Sequence, residues 1–202
     1  MNLKKVVNLF TILFCILYYQ VILAASCTPN ETASNDYEPD EFITSNNLLN
    51  QAGQTPLFCG ERIIIYGKLV DTSCKPISDA KIYLWQVDCT GKYPYKPLRN
   101  IADPSLINIS NDGHSFTGNG IATTNNLGEF VFVTIYPNKV HDMQPHLNLR
   151  AEKVNRDSLQ IIIPLKKHRL YNPETTIKND SILNLIRDYS AKVYGFQVVM
   201  PN

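Results

Sequence analysis

Glu129-Phe-Val-Phe-Val-Thr-Ile135 runs directly into Tyr136-Pro-Asn-Lys-Val-His-Asp-Met-Gln-Pro-His-Leu-Asn148, and the fold is read from this stretch. After Glu129 the first part is aromatic and β-branched, with the period of two that marks a strand. Pro137 closes the run. The turn that follows carries two of the chain's four histidines, His141 and His146, and leads into a second apolar run from Leu147. A strand, a polar histidine-bearing turn and another strand put titratable rings at one end of a sheet.

Working outward, Arg62-Ile-Ile-Ile-Tyr-Gly-Lys-Leu-Val70 is a strand rich in β-branched residues, and 80–87 is another with Trp85 inside it. Both are apolar on both faces, which suits strands covered on two sides. Residues 71–79, with Pro76 between Ser73 and Ser78, form a turn, and the spacing predicts a hairpin of 61–72 with 80–88. Further strands are predicted at 147–154, 159–165 and 194–200. Residues 91–120, with Pro94, Pro97, Pro104 and several Asn and Gly, read as a long loop of the length that commonly carries function. Ile182, Leu183, Leu185 and Ile186 have helical spacing behind Asp180 or Ser181 as a cap, giving one short C-terminal helix. Many short strands with turn signals and little helix define an all-β fold, a β-sandwich. Trp85 is expected in the core between the sheets.

The chain has 202 residues. Lys4 and Lys5 precede an apolar segment from Val6 to Leu23 and small residues at Ala24, Ala25 and Ser26, the layout of an export signal. Residues 1–26 are expected to be that signal. A membrane anchor is the alternative for this segment, which is near the lower length limit for a span. The layout around Cys27 also approximates a lipoprotein processing site, so attachment to a membrane through an acylated Cys27 is a further expectation. Residues 27–58 are polar, turn-rich and acidic, and read as an extended N-terminal arm; residues 59–202 are the sandwich domain. Without residues 1–26 the formal charge moves from +1 to −1, because that segment holds two lysines and no acid. No basic stripe interleaved with aromatics is present, which argues against nucleic acid as a partner.

Outside the signal stand Cys27, Cys59, Cys74 and Cys89. An even number behind an export signal suggests disulfides, and the lack of any Cys-x-x-Cys pair argues against zinc. In the predicted hairpin, Cys89 falls opposite about Arg62 and therefore near Cys59. Cys59–Cys89 is the candidate bridge, with Cys74 or Cys27 as the competing partner.

Residues 134–148 match, without a gap, the pattern Thr-Ile-x-Pro-Gly-x-Tyr-x-x-Arg-x-x-His-Ile-His. Upstream, Cys74-Lys-Pro-Ile-Ser-Asp-Ala80, Ile82-Tyr-Leu-Trp-Gln-Val-Asp88 and Gly91-Lys-Tyr93 fit the run Pro-x-x-x-Ala-x-x-x-x-Trp-x-x-x-x-x-Gly-x-Tyr. Phe116-Thr-Gly118 and 123–128 follow in the same order. In these motifs the chain resembles the intradiol ring-cleavage dioxygenases over about residues 60 to 150. The resemblance implies the β-sandwich of that family and a non-haem Fe(III) held by two tyrosinates and two histidines. Hard phenolate oxygens suit a ferric ion, and a nearby arginine stabilises negative charge on a catechol-type aromatic diol.

Carried over residue by residue, Tyr93 takes the place of the first tyrosine and His146 of the first histidine. Val140 stands at the second tyrosine, Met143 at the arginine and Asn148 at the second histidine. Valine offers no donor and an amide oxygen is a weak neutral one. The expectation is therefore an exported, dioxygenase-like protein with an impaired or lost iron centre, kept for binding a small aromatic diol or as a surface protein, as a monomer or an oligomer. One alternative is an active dioxygenase with a rebuilt metal site, for which His141 is the nearest substitute donor. A second is a transthyretin-like binding module that shares only the sandwich. Taken alone, Tyr93 after a Gly-Lys turn reads as a cap on the end of the sandwich, and His146 as a hydrogen-bonded core histidine.

Overall fold

A computed structural model describes residues 26–34, 37–49, 59–109, 116–165, 184 and 191–201. Among them are the strands β1 (Arg62–Asp71), β2 (Lys81–Trp85), β3 (Asn119–Thr123), β4 (Glu129–Ile135), β5 (His146–Glu152), β6 (Leu159–Pro164) and β7 (Lys192–Met200). One sheet has the order β4-β1-β7 and the other β3-β2-β5-β6. All ladders are antiparallel except β1 with β7. Alternate residues point between the sheets: Ile63 and Ile65 from β1, Phe130 and Phe132 from β4, Ile82 and Leu84 from β2, and Leu147 and Leu149 from β5. The all-β sandwich is thus present, and the opening stretch supplies one strand to each sheet. The helix predicted over 180–189 lies outside the described residues except for Asn184, and so does the expected signal up to residue 25.

Three sequence expectations are corrected. First, the hairpin of β1 with β2 does not form. β1 is flanked by β4 and β7, while β2 is flanked by β3 and β5. The turn folds back on β1 only locally, through Asp71 N to Lys75 O and Ile77 N to Leu69 O, and then crosses to the other sheet. Second, β3 was not foreseen: it starts at Asn119, in the last two residues of the region read as one long loop, and runs on to Thr123. Its glycine is the reason it did not look like a strand. A Cβ on Gly120 would sit 2.3 Å from the Ser45 carbonyl oxygen, so a passing chain segment requires the glycine there. Third, Trp85 does not lie between the sheets. It points to the outer face of the four-stranded sheet, where it is fully buried in a separate aromatic cluster.

That outer face is covered by the arm, which crosses the elements in an ordered series. Asn30 bonds to both backbone groups of Val199 on β7, and Ala33 N donates to Gln160 O on β6. Glu38 reaches Arg150 on β5, and Phe42 packs edge-on against Tyr83 and Trp85 of β2. Ser45 O accepts from Ile121 N on β3, and Asn46 O accepts from Val133 N on β4. Leu48 then enters the main core, fully buried. The segment is a belt around the four-stranded sheet that satisfies edge groups on both sides of the sandwich.

One disulfide lies at the foot of β1 and another at the start of this belt. Cys27–Cys74 ties its start to the β1–β2 turn, with Cα atoms 5.2 Å apart, and Cys59–Cys89 joins the foot of β1 to the end of β2, with Cα atoms 5.9 Å apart. The Cys59–Cys89 pair therefore forms although the hairpin used to infer it does not. The two strands lie in different sheets but end on the same side of the sandwich. A bond to Cys74 and an acyl thioether at Cys27 exclude each other, because both need the same sulfur.

Candidate functional site

After β2 the chain turns sharply at Asp88, whose carboxylate accepts from the backbone N–H of Thr90 and Lys92. Gly91 completes the turn at a φ of +86°, and a Cβ there would come within 2.9 Å of Lys139 O. This close approach sets the segment before β5 against the end of β2. Asn138 strengthens it, donating through its side chain to Cys89 O at 3.0 Å. Tyr93 is then fixed at backbone level: its N–H donates to Leu106 O at 2.7 Å and its carbonyl accepts from Asn108 N at 3.0 Å.

The result brings the positions singled out in the sequence onto one face. Tyr93, Val140, Trp85, Val87 and Tyr95 form one buried cluster. Trp85 is the ladder partner of Asn148, and His146 lies two residues before Asn148, hence on the same side of β5. Tyr93 and Asn148 are 0 % exposed and Val140 2 %, whereas Met143 is 44 % exposed. The His146 ring is held through Nδ1, 2.8 Å from Gln144 O; since a carbonyl only accepts, Nδ1 carries a proton, which in the neutral ring leaves the lone pair on Nε2. The Asn148 amide donates from Nδ2 to Trp85 O at 3.3 Å.

His141 goes elsewhere. It has a φ of 50°, and its ring turns outward to place Nε2 3.1 Å from Asp103 Oδ2, with more than half of the side chain exposed. The Asp103 carboxyl is held below its ordinary range, first by the Ser105 side chain and backbone N–H and then by His141. The His141–Asp103 pair fastens the turn of residues 140–143 to the 3₁₀ turn Pro104–Leu106 that also anchors Tyr93.

Several residues of the site carried no sequence signal. Tyr37 stacks on Tyr93, with centroids 4.7 Å apart and planes 12° from parallel. Arg150 lies 4.4 Å above the Tyr83 ring and is paired with Glu38 at 2.6 Å and Glu152 at 3.2 Å. Arginine over an aromatic face gains a cation–π contact besides its ion pairs. Only the alternation along β5, with Arg150 in step with His146 and Asn148, pointed to this face. The belt residues Tyr37, Glu38 and Phe42 had no such clue.

Two donors in the cluster, Trp85 Nε1 and Tyr95 Oη, are buried without a hydrogen bond among the described residues. Burial, with Tyr93 and Glu38 nearby, pushes the Tyr95 phenol well above its ordinary value of 10.0. The folded chain thus holds this proton more tightly than the unfolded chain. The resulting stability is complete below pH 10 or so and is lost as the pH climbs through the range between the unfolded and folded values. Tyr95→Phe should be neutral or slightly stabilising at pH 7, because no hydrogen bond worth about 1 kcal/mol is broken. It should also flatten the loss of stability above pH 10. Denaturant midpoints of the two proteins across pH 7 to 11 check this; an equal alkaline slope in both would exclude Tyr95 as its source.

The same features recur in known proteins. A sequence profile described as Dioxygenase matches residues 33–151. A Rickettsia felis protein, named provisionally as a dioxygenase, is 43 % identical over 148 residues, covering 73 % of this chain and 71 % of its own. The protocatechuate 3,4-dioxygenase beta chain of Burkholderia cepacia is 32 % identical over 100 residues, 48 % of this chain and 36 % of its own. Among solved structures, the intradiol ring-cleavage dioxygenase from Tetranychus urticae superposes with a TM-score of 0.59 at 17 % identity, covering 87 % of this chain and 95 % of that one. With the profile spanning more than half of the sequence and the sandwich carrying Tyr93, Val140, His146 and Asn148 on one face, the chain belongs to the intradiol ring-cleavage dioxygenase family.

Proposed function

We propose that this chain is an exported family member that no longer holds ferric iron and does not cleave catechols, and that it keeps the scaffold as a binding protein for a small aromatic diol. The observation that carries this reading is the donor set. The family is iron-dependent, and Tyr93 and His146 are donors of the kind its Fe(III) needs. Val140 fills the second tyrosine position with a buried isopropyl group inside the aromatic cluster. Asn148 offers an amide whose nitrogen is already committed to Trp85 O. A phenol and one imidazole do not make a ferric site, which needs more strong donors in fixed geometry. Met143 leaves the site without the cation that would stabilise charge on a bound diol. Nor does His141 repair the set, since its ring faces Asp103 at the surface.

In place of metal chemistry the chain's residues supply an aromatic environment. Trp85, Tyr93 and Tyr95 pack together there, Tyr37 stacks on Tyr93 from the belt and would have to move aside for a ring to enter, and the Trp85 and Tyr95 donors suit an oxygen acceptor. Export is supported by two disulfides, which persist in oxidising compartments.

Metal analysis of protein made in an oxidising compartment tests the reading. The expected preparation is colourless, carries far less than one iron per chain after incubation with ferric salt, and leaves catechol uncleaved. Stoichiometric iron with a red-brown tyrosinate colour would overturn it.

A further inference from the structure

The belt is two structures in series. Its trailing part, residues 43–49, is anchored in the sandwich: Leu48 is fully buried in the main core, and Ser45 O, Asn46 O and Leu48 O accept from Ile121, Val133 and Thr117. No described residue of its leading part, from Cys27 to Phe42, belongs to that core cluster. It is held by the bond of Cys27 N–H to Thr72 O, the two bonds of Asn30 to Val199, the bond of Ala33 to Gln160, the bonds of Leu98 N–H to Glu38 O and of Asp40 N–H to Lys96 O, and the pairing of Glu38 with Arg150 and of Asp40 with Lys96. Ring contacts of Tyr37 with Tyr93 and of Phe42 with Trp85 complete it. The Asp40–Lys96 pair is exposed and individually small, whereas Glu38 and Arg150 are mostly buried and form the firmest of the side-chain contacts on the outer face. Covalent attachment at its far end is supplied by Cys27–Cys74 alone, and both of those cysteines are partly exposed.

The geometry points to a redox-latched flap: residues 27–34 and 37–42 form a lid over the aromatic face, hinged where the belt enters the core and locked shut by the Cys27–Cys74 disulfide. In opening, a dithiol reductant gives two electrons and two protons to the disulfide. The S–S bond breaks, Cys27 and Cys74 become thiols, and the reductant leaves as a disulfide. The trailing part keeps its core anchor and Cys59–Cys89 is not required to break. Lifting the flap separates Tyr37 from Tyr93 and uncovers Trp85 and the Tyr95 hydroxyl. The closed state belongs to an oxidising compartment and the open state to a reducing one. This device does not depend on whether the site below holds metal or diol.

The chain contains a single tryptophan, Trp85, directly under Phe42, so it reports on the flap without labelling. Two amides report on the leading part: Val199 N–H, bonded to the Asn30 side chain, and Leu98 N–H, bonded to Glu38 O. Ile121 and Val133 amides report on the trailing part. In the double variant Cys27→Ser/Cys74→Ser, hydrogen exchange at Val199 and Leu98 should quicken at least tenfold while Ile121 and Val133 stay as in the parent. Acrylamide should quench Trp85 more strongly, with its emission shifted to the red. Treating the parent chain with dithiothreitol, until Cys27 and Cys74 titrate as thiols, should give the same pattern at Val199 and Leu98. Unchanged exchange and quenching in the double variant would show that the non-covalent contacts hold the flap without a latch. Loss of protection at all four amides would show that the disulfide supports the whole sandwich. Either result overturns the proposal.

Discussion

The triple variant Val140→Tyr/Met143→Arg/Asn148→His will take up ferric iron and become coloured under conditions that leave the parent chain colourless. In its neutral form His146 presents the Nε2 lone pair, because Nδ1 is committed to Gln144 O. A histidine at position 148 projects from the same side of β5, two residues on. A tyrosine at position 140 starts inside the cluster that contains Tyr93. The substitution that meets resistance is Val140→Tyr. Its site is closely packed, and extra ring volume in a packed region costs about 1–3 kcal/mol. Metal binding to a complete donor set is worth several times that, about 10 kcal/mol or more in small zinc sites, so uptake should prevail. Tyr37, stacked on Tyr93 from the belt, is the neighbour that has to give; adding Tyr37→Ala should raise the yield of loaded protein. Visible absorption and iron per chain are the measurements. A folded triple variant that stays free of iron would mean that these four positions do not converge closely enough to share an ion, and the reading of the site would fall with it.

Trp85→Ala should destabilise the protein by about 3–5 kcal/mol, as much as a core aromatic truncation, although Trp85 lies outside the space between the sheets. It is fully buried, in a cluster with Tyr93, Tyr95 and Val140 and beneath Phe42 of the belt. Removing the indole opens a cavity that a belt tied at both ends cannot collapse to fill. Because Phe42 and Trp85 touch, Phe42→Ala combined with Trp85→Ala should cost less than the two separate losses together. Chemical denaturation of the four proteins reads both effects. A loss below about 1 kcal/mol for Trp85→Ala would mean that the aromatic layer is loosely held and that the belt does not seal it.

The residues that reveal the family were legible because their chemistry depends on spacing. Fifteen residues from Thr134 to Asn148 place a donor position, a turn and two same-side strand positions whatever surrounds them, and the structure keeps that order. The strands β1, β4 and β5 were legible for a similar reason, since β-branched residues and a period of two are local properties. Pairing was not. β1 and β2 are neighbours in sequence with a turn between them, and only their burial on both faces hinted that each would take other partners on both edges. β3 was hidden by Gly120, whose purpose is to let Ser45 pass. The direction of the His141 ring was hidden as well, because it depends on Asp103, 38 residues away.

By itself the sequence determined an all-β sandwich of a recognisable lineage, the alignment of Tyr93, Val140, His146 and Asn148 with the family pattern, and cysteines placed to pair. Only the tertiary structure decided that a polar arm of unremarkable composition becomes a belt over the very face where those positions meet. The reason is physical. Strand propensity and motif spacing act over a few residues, whereas the belt's course is set by unsatisfied edge groups on β7, β6, β3 and β4 and by Arg150 and Trp85 on the face between them. Those partners exist as neighbours only after both sheets have formed.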